Sequence, residues 1–171
     1  MKAFNELSIK DQGRELMQVE LTPLTVAALD NYLEWSKDKE VVDFIGGGKE
    51  LSAEEIENRF QQILRSENDF YWSVILNGKN VGHVSFHNID PVSSTAEVGI
   101  LLGEKSIRSL GVGAKALRLM ELKGRELKLN KLIAEIDNSN VKSIRLFESS
   151  GFSFVRDLPD MGAKIYEKAI K

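Results

Sequence analysis

The sequence predicts a mixed α+β fold in a single domain covering residues 1–171, and three observations lead to this prediction. The length of 171 residues fits one domain, since domains cluster at roughly 100–200 residues. A hydrophobic fraction of 42% is normal for a packed core and too high for a disordered chain. The predicted elements follow the order β, α, α, β, β, β, α, β, α, β, β, and the three consecutive strands favour antiparallel pairing.

The first third of the chain predicts one strand followed by two helices. Residues 1–13 are polar and are expected to form a loose segment, whereas Arg14–Leu21 alternates apolar and polar side chains as a strand does. Thr22 and Pro23 then predict a helix start, with threonine as the N-cap and proline at the first helical position. Ser52–Glu55 matches a capping box and predicts the start of the second helix.

The rest of the chain shows strand patterns interrupted by two helices. Asn77-Gly78 between two apolar runs is a strong signal for a type I′ hairpin, and Gly151 is placed to end the last helix. The predicted strands are Phe70–Leu76, Val81–His87, Ala96–Leu102, Leu132–Ile136, Ser153–Arg156 and Lys164–Ala169. The predicted helices are Val112–Leu129 and Asn140–Ser149.

The composition argues against several function classes. The chain has no cysteine, which excludes disulfides, thiolate metal sites and a cysteine nucleophile, and it has only two histidines, so we expect no metal. A net charge of −3 argues against nucleic-acid binding, which requires a basic face. There is no run of about 18 apolar residues that would cross a membrane and no signal-peptide pattern. We therefore expect a cytoplasmic protein.

The sharpest local feature is the glycine-rich turn Arg108–Ala114, which lies between a predicted strand and an amphipathic helix. The first N–H groups of a helix lack internal partners, glycines allow a ligand to approach the backbone, and Arg108 and Lys115 add positive charge. The turn is therefore either a phosphate site or a plain strand-to-helix connection. Gly111-x-Gly113-x-x-Ala116 also fits the dinucleotide fingerprint, but Gly103–Ile107 separates it from the strand and few elements follow.

A second motif runs from Asn140 to Phe152 and has the form N-x-x-S-x-x-x-F-E-x-x-G-F. By itself it predicts a well-built helix with Asn140 as its N-cap. Together with the preceding R-x-x-G-x-G-A turn, helix and strand, it strongly resembles the GNAT superfamily of acyl-CoA-dependent N-acetyltransferases. The motif resemblance covers residues 96–155, and the order of elements extends it over nearly the whole chain. Ala96–Ile100 and Phe147–Phe152 look most similar to the branch of ribosomal-protein-alanine acetyltransferases.

The resemblance implies a GNAT-like acyltransferase fold, with a central, mostly antiparallel mixed sheet of about six or seven strands and helices on both faces. It implies acetyl-CoA as the co-substrate. The amides of the glycine-rich turn would bind the pyrophosphate, and the preceding strand would hold the pantetheine arm in a splay that opens toward Leu132–Ile136. The residues implied to bind the co-substrate are Ile100, Leu101, Leu102, Arg108, Ser109, Leu110, Gly111, Val112, Gly113, Ala114, Asn140 and Phe147.

Acetyl transfer to an amine requires removal of an ammonium proton, stabilisation of the thioester oxygen and departure of the CoA thiolate. The resemblance gives two alternative candidates for the catalytic base. Glu135 lies in the strand after the long helix, and Glu97 lies in the strand before the glycine-rich turn. Glu135 could instead be an outward-facing strand residue, and Glu97 a structural hydrogen-bonding one.

Phe147 is a departure from the family pattern, which often has tyrosine at this position as the acid for the leaving thiolate. Phenylalanine cannot donate a proton. The thiolate therefore leaves unassisted, another donor replaces the tyrosine, or the protein is a poor catalyst. The alternative donors are Ser143, Tyr71, Tyr166 and water.

The implied function is transfer of the acetyl group from acetyl-CoA to a primary amine by direct attack in a ternary complex. The acceptor is a small-molecule amine or a protein N-terminus, and the sequence carries no readable code for it. Two alternatives stay open, an acyl-CoA-binding or sensing module with weak catalysis and a dinucleotide-binding protein. The family often forms dimers through its C-terminal strands, so a homodimer through Tyr166 and Ile170 is one option.

Overall fold

One mixed sheet organises the part of the chain that the computed structural model describes, residues 6–8, 17–39, 41–42 and 49–170. Eight strands among these residues follow the order β1-β2-β3-β4-β5-β6-β8-β7. Neighbouring strands are antiparallel except for the parallel pair β5 and β6. The strands are β1 (Glu6–Ser8), β2 (Gln18–Pro23), β3 (Phe70–Leu76), β4 (Lys79–Asp90), β5 (Thr95–Leu102), β6 (Lys131–Asp137), β7 (Ser153–Leu158) and β8 (Ala163–Ala169).

Helices cover both faces of this sheet. The helices that lie wholly within the described residues include α1 (Leu29–Trp35), α2 (Ala53–Arg65), α3 (Val112–Glu126) and α4 (Val141–Ser149). The apolar stripe of α3 and the buried side of α4 pack in the main core with alternate residues of the strands, among them Phe86 and Val98. A smaller core on the other face joins α1 and α2 to Leu101. The predicted mixed, mostly antiparallel sheet with helices on both faces is confirmed.

Local sequence signals account for several element boundaries. The Ser52 hydroxyl accepts a hydrogen bond from the Glu55 N–H at 3.2 Å, and the Glu55 carboxylate accepts one from the Ser52 N–H at 2.7 Å. These bonds form the predicted capping box and hold the pKa of Glu55 below its usual range. Asn77 and Gly78 have φ values of 48° and 81°, as the predicted type I′ hairpin between β3 and β4 requires.

The predicted helix start at Thr22 and Pro23 is wrong. Both residues belong to β2, where Thr22 pairs with Ser73 and Pro23 pairs with Trp72. Proline is tolerated there because it is the last residue of the strand and need not donate to the ladder. A short 3₁₀ turn at Val26–Ala28 follows, and α1 begins only at Leu29. Pairing with a strand that is distant in sequence outweighs a local capping signal.

Two further expectations concern the ends of the chain. Within the segment 1–13, which was expected to be loose, Glu6–Ser8 pairs with β2 as a short strand, and the remainder lies outside the described residues. The side chains of Tyr166 and Ile170 are buried in the core of the chain itself, and the predicted homodimer stays a prediction. Among the described residues no helix is long and apolar enough to cross a membrane.

Candidate active site

The parallel strands β5 and β6 diverge from one another part-way along the sheet. They pair at Thr95 with Lys131, at Ala96 with Leu132 and at Glu97 with Ile133, and their pairing ends there. From Val98 to Leu102, β5 continues to pair with β4 on its other edge only. Backbone groups on the open edge of this stretch are therefore free to bond an extended ligand. The predicted pantetheine-binding residues Ile100, Leu101 and Leu102 all lie in this stretch.

The glycine-rich turn connects the end of β5 to α3. Gly111 is the N-cap of α3 with φ of 80°, and Ser109 has φ of 69°. The side chain of Val112 is buried beneath the turn, and the first N–H groups of α3 have no partner within the helix. The Leu110 N–H donates to the carbonyl of Ile107 at 3.3 Å, so this amide, unlike the predicted ones at the helix start, is already used inside the chain.

Gly113 has a packing role that the motif alone does not reveal. A Cβ atom at this position would lie 3.0 Å from Cδ2 of Leu146 on α4 and 3.4 Å from Cδ1 of Leu102 on β5. The missing side chain therefore lets the start of α3 approach α4 and β5 closely. As a result, the first turn of α3 packs beside Leu102, the last residue of the open stretch of β5.

Arg108 makes a contact that the sequence did not predict. Its guanidinium donates to Oδ2 of Asp38 at 2.8 Å, and Nζ of Lys105 lies 3.2 Å from the other oxygen of the same carboxylate. Asp38 follows α1 and is largely buried, so it joins the helices on one face to the glycine-rich turn. The guanidinium is thus held beside the turn by a carboxylate 70 residues away in sequence.

Asn140 and Phe147 both lie on the α4 side of the sheet. The side-chain oxygen of Asn140 accepts a hydrogen bond from the Ser143 N–H at 3.0 Å, which is the predicted N-cap of α4. Phe147 is only 2% exposed, and its ring packs edge-to-face against Phe152 at 4.9 Å between centroids. Tyr166, one of the alternative donors, is also buried, and its hydroxyl donates to Glu148 at 3.4 Å. Burial, followed by the charge of Glu148, raises the pKa of Tyr166.

A cavity of about 580 Å³ opens on the face of the sheet that carries α1 and α2. Its floor is formed by alternate residues of β4 with one residue each of β3 and β5, and its wall by one side of α2. Gly99 of β5 lines the cavity and also lies on the stretch of β5 that has left β6. The lining residues are Tyr32, Ile56, Arg59, Phe60, Gln62, Ile63, Ser66, Asp69, Tyr71, His83, Ser85, His87 and Gly99.

A chain of polar side chains crosses this cavity floor. Oδ1 of Asp69 lies 3.3 Å from Nδ1 of His87, and Nε2 of His87 lies 2.7 Å from Oγ of Ser85. The Ser66 hydroxyl donates to Oδ2 of Asp69 at 3.0 Å and holds this carboxylate in place. The hydroxyl of Tyr71 lies 3.5 Å from Nδ1 of His87. Burial, followed by the charge of Asp69, raises the pKa of Tyr71 to about 12, so the tyrosine stays protonated at neutral pH.

His83 lies deeper on the same face of β4 and differs from His87 in its surroundings. Its ring stacks on that of Tyr32, whose hydroxyl lies 2.6 Å from Nδ1. Burial, followed by the charge of His87, lowers the pKa of His83 to about 3. His83 is therefore neutral at physiological pH and contributes no positive charge to the cavity.

The two predicted base candidates lie at different places on the same sheet face. Glu97 pairs directly across from His87, is partly exposed, and accepts a hydrogen bond from Nδ2 of Asn88 at 2.9 Å. Glu135 is exposed on β6, where it pairs with Ile165 of β8. Neither carboxylate is among the residues that line the cavity.

The prediction of site residues missed the histidine, serine and aspartate of the cavity floor. A signal was present in β4, where His83, Ser85 and His87 alternate and must share one face of the strand. Three polar residues on one face of an otherwise apolar strand indicate either a solvent-exposed face or a site. Asp69 and Tyr71 join them only because the register of β3 and β4 brings the start of β3 alongside Ser85 and His87.

The sequence profile of the acetyltransferase (GNAT) domain matches residues 18–153, which span the whole region just described. The chain belongs to the GNAT acetyltransferase family. As a member of this family it is an acetyl-CoA-dependent N-acetyltransferase, and acetyl-CoA is its co-substrate. The dinucleotide-binding alternative is set aside, because β8 joins β6 antiparallel and adds no second crossover of the type that a dinucleotide fold needs.

Similar proteins act on varied acceptors. The α/β-tubulin-N-acetyltransferase 9 of Drosophila melanogaster is 30% identical over 155 residues, covering 81% of this chain and 76% of the relative. The spermidine N-acetyltransferase of Vibrio cholerae, solved with CoA and spermine, has a TM-score of 0.76 at 16% identity and covers 89% of this chain and 95% of that one. The ribosomal L7/L12 α-N-protein acetyltransferase RimL, solved with CoA, has the same TM-score and identity and covers 89% and 94%. These two structures support the fold alone.

Proposed function

We propose that this GNAT acetyltransferase moves the acetyl group to a primary amine that enters the cavity beside α2 and attacks acetyl-CoA directly in a ternary complex. The observation that carries this proposal is the position of Gly99. This residue lines the cavity and lies on the open stretch of β5, so an amine in the cavity and a thioester on that strand would meet at the same residue. Direct attack requires no enzyme nucleophile, which suits a chain without cysteine.

The proposed co-substrate site combines the open edge of β5 with the helix start that follows it. Ile100, Leu101 and Leu102 would bond the pantetheine arm, and the amides of Ser109, Gly111, Val112, Gly113 and Ala114 would face the pyrophosphate. The positive end of the α3 dipole and the guanidinium of Arg108 favour an anion there. Asn140 and Phe147 complete the proposed set, with Phe147 near the thioester, whereas the Leu110 amide is left out because it donates to Ile107.

The proposed acceptor is a small-molecule amine or a protein N-terminus. The cavity offers the half-buried carboxylate of Asp69, which suits a cationic amine, and it is large enough to hold more than the amino group. A place in the ribosomal-protein-alanine branch is part of the proposal and is supported by the Ala96–Ile100 and Phe147–Phe152 motifs. A cytoplasmic location and a homodimer also stay predictions.

The resemblance implies two carboxylates as candidate bases, and neither of them lines the cavity. Glu97 is favoured by its place on β5 beside the open stretch, and Glu135 is on the facing strand β6. A working base at either position would remove the ammonium proton directly or through a water molecule. The CoA thiolate would leave unassisted or take a proton from a donor other than Phe147.

An acceptor screen with thiol detection tests the proposed function. Acetyl-CoA is incubated with spermidine, kanamycin, glucosamine and a peptide with an N-terminal alanine, and released CoA is measured with a thiol reagent. Because the chain has no cysteine, every thiol detected belongs to CoA. We expect release that depends on one of these amines, together with mass spectrometry of an acetylated amine.

A second candidate function is supported by Phe147, which removes the usual proton donor. In that case the protein would bind or sense acyl-CoA and catalyse transfer poorly. Calorimetric binding of acetyl-CoA without thiol release on any amine would favour the sensing module over the enzyme proposed above.

A further inference from the structure

The polar chain on the cavity floor suggests a role that neither predicted carboxylate fills. We propose that His87 accepts the proton that the acceptor ammonium loses, with the Ser85 hydroxyl relaying this proton and the Asp69 carboxylate positioning the imidazole. This inference rests on the proposed function, since it concerns the amine that enters the same cavity. The inference adds to the proposed function a proton acceptor and the residue that orients it. The three side chains involved lie on β4 and directly before β3.

The directions of the hydrogen bonds that link Ser85, His87 and Asp69 follow from the chemistry of these three side chains. Nδ1 of His87 lies 3.3 Å from Oδ1 of Asp69 and 3.5 Å from the Tyr71 hydroxyl. A carboxylate can only accept and a hydroxyl oxygen can also accept, so we assign the hydrogen to Nδ1 of the imidazole. In this tautomer Nε2 carries a lone pair, and the Ser85 hydroxyl at 2.7 Å donates to it. The Ser85 oxygen keeps its lone pairs for the N–H of an amine in the cavity. These hydrogen bonds therefore run from the cavity through Ser85 and His87 toward Asp69, which is the direction in which a proton would move.

Gly99 leaves the space that this arrangement needs. A Cβ atom at position 99 would lie 2.7 Å from Oγ of Ser85 and 3.5 Å from Nε2 of His87. Any side chain there would press on the Ser85–His87 hydrogen bond and separate it from β5. With glycine, the bond lies open toward the strand along which the thioester is proposed to bind.

His87 is better suited to this role than its neighbours on the same face. His83 is buried and held by Tyr32, so its ring does not take up a proton near neutral pH. Glu97 is directly across from His87 but bonds Asn88 and lies outside the cavity lining. His87 differs from both residues because its Nε2 bonds the Ser85 hydroxyl in the cavity and its Nδ1 faces the Asp69 carboxylate.

The proposed reaction balances without any further reactant. The ammonium gives one proton to Ser85 as the Ser85 proton passes to Nε2, which forms an imidazolium beside Asp69. The neutral amine attacks the acetyl carbonyl carbon, a C–N bond forms, and the C–S bond breaks with its electron pair on sulfur. The second nitrogen proton ends on the CoA sulfur, and His87 returns its proton to solvent.

The first test replaces His87 by glutamine and follows steady-state acetylation of each screened amine. General base catalysis contributes about 10²–10⁴-fold, so we expect kcat to fall at least about 100-fold while CoA affinity stays unchanged. Imidazole added to the His87→Gln protein should restore part of the rate, because the cavity can admit a small base. An unchanged affinity for CoA and an unchanged melting temperature show that the variant is folded.

The second test separates positioning by Asp69 from general effects of charge. Asp69→Asn should lower kcat about tenfold and move the acidic limb of the pH–rate profile, because the imidazolium loses its charged partner. Asp157→Asn makes the same chemical change on β7, where Asp157 pairs with Lys164 at the surface, and should leave both rate and profile unchanged. The groups that face His87 in this experiment are Asp69, Tyr71, His83, Glu97 and Arg59 across the cavity.

Several outcomes would overturn the relay. A His87→Gln protein as active as the wild type, with the loss appearing instead in Glu97→Gln, would assign the proton to the carboxylate. Acetylation of Ser85 by acetyl-CoA in the absence of an amine would make Ser85 a nucleophile rather than a relay. A wild type that acetylates none of the amines would overturn the proposed function itself, which is a different result from either of these.

Discussion

Replacing Glu121 by glutamine tests how α3, the helix that begins at the glycine-rich turn, is fastened to the rest of the fold. The Glu121 side chain is 4% exposed and contacts Lys168 of β8 through one oxygen and Arg118 through the other at 3.0 Å. Lys168 also donates to the carbonyl of Ser150 at 2.6 Å. One buried cluster therefore joins α3, β8 and the end of α4.

The size of the effect can be worked out from this geometry. Removing one partner of a buried ion pair costs about 3–5 kcal/mol, because the other charge is left without compensation. Lys168 is 19% exposed and keeps its bond to Ser150, so we expect a smaller loss of unfolding free energy, about 2 kcal/mol. In a domain of this length each kcal/mol changes Tm by about 2–4 °C, which gives a fall of about 4–8 °C.

Glu126→Gln is a matched control on the same helix. Glu126 also pairs with a cation three residues away, Lys123 at 3.0 Å, but its side chain is 47% exposed. Exposed ion pairs three or four residues apart on a helix contribute about 0.2–0.5 kcal/mol, so its Tm should stay within about 2 °C of the wild type. Thermal unfolding by circular dichroism measures both variants. Equal Tm values for Glu121→Gln and Glu126→Gln would refute the reasoning that burial makes the difference.

Three further predictions concern the site. Arg108→Ala should weaken CoA binding at least about tenfold in calorimetry, because a charged hydrogen bond to phosphate contributes about 1.5–3 kcal/mol; an unchanged Kd would count against a phosphate beside the turn. Phe147→Tyr should leave CoA affinity intact and raise turnover, and a large loss of affinity would argue against placing this residue at the thioester. The pKa of His83 is lowered by burial from 6.5 to about 3, so below pH 6.5 the unfolded chain binds a proton that the folded chain does not. Urea unfolding should therefore show about 2 kcal/mol less stability at pH 5 than at pH 7, and His83→Gln should flatten this dependence.

Much of the fold could be predicted because its signals are local. The capping box at Ser52, the hairpin at Asn77-Gly78 and the glycine past α4 each fix the chain by contacts within a few residues. Strand and helix periods identified the remaining elements to within a few residues at each end. The helix start at Pro23 failed for the opposite reason, because pairing of β2 with β3 decides the conformation there.

The candidate site was harder to predict, because its members meet only through the register of the sheet. The glycine-rich turn could be recognised, since a short motif carries it. The contact between Arg108 and Asp38 spans 70 residues, and no local pattern predicts it. Asp69, Ser85 and His87 come together because β3 and β4 pair with Tyr71 opposite Ser85. A polar alternation in β4 was visible, but its partner on β3 was not.

The open edge of β5 limits how much binding free energy an extended ligand can gain from backbone hydrogen bonds there. Backbone groups from Val98 to Leu102 that do not pair with β6 can bond water when no ligand is bound. A ligand that bonds them exchanges one set of hydrogen bonds for another, and each exchange is worth only about 0.5–1.5 kcal/mol. If the pantetheine arm binds along this edge as proposed, we expect the edge to set the position of the thioester on the strand. We expect the charge at the helix start to supply most of the affinity.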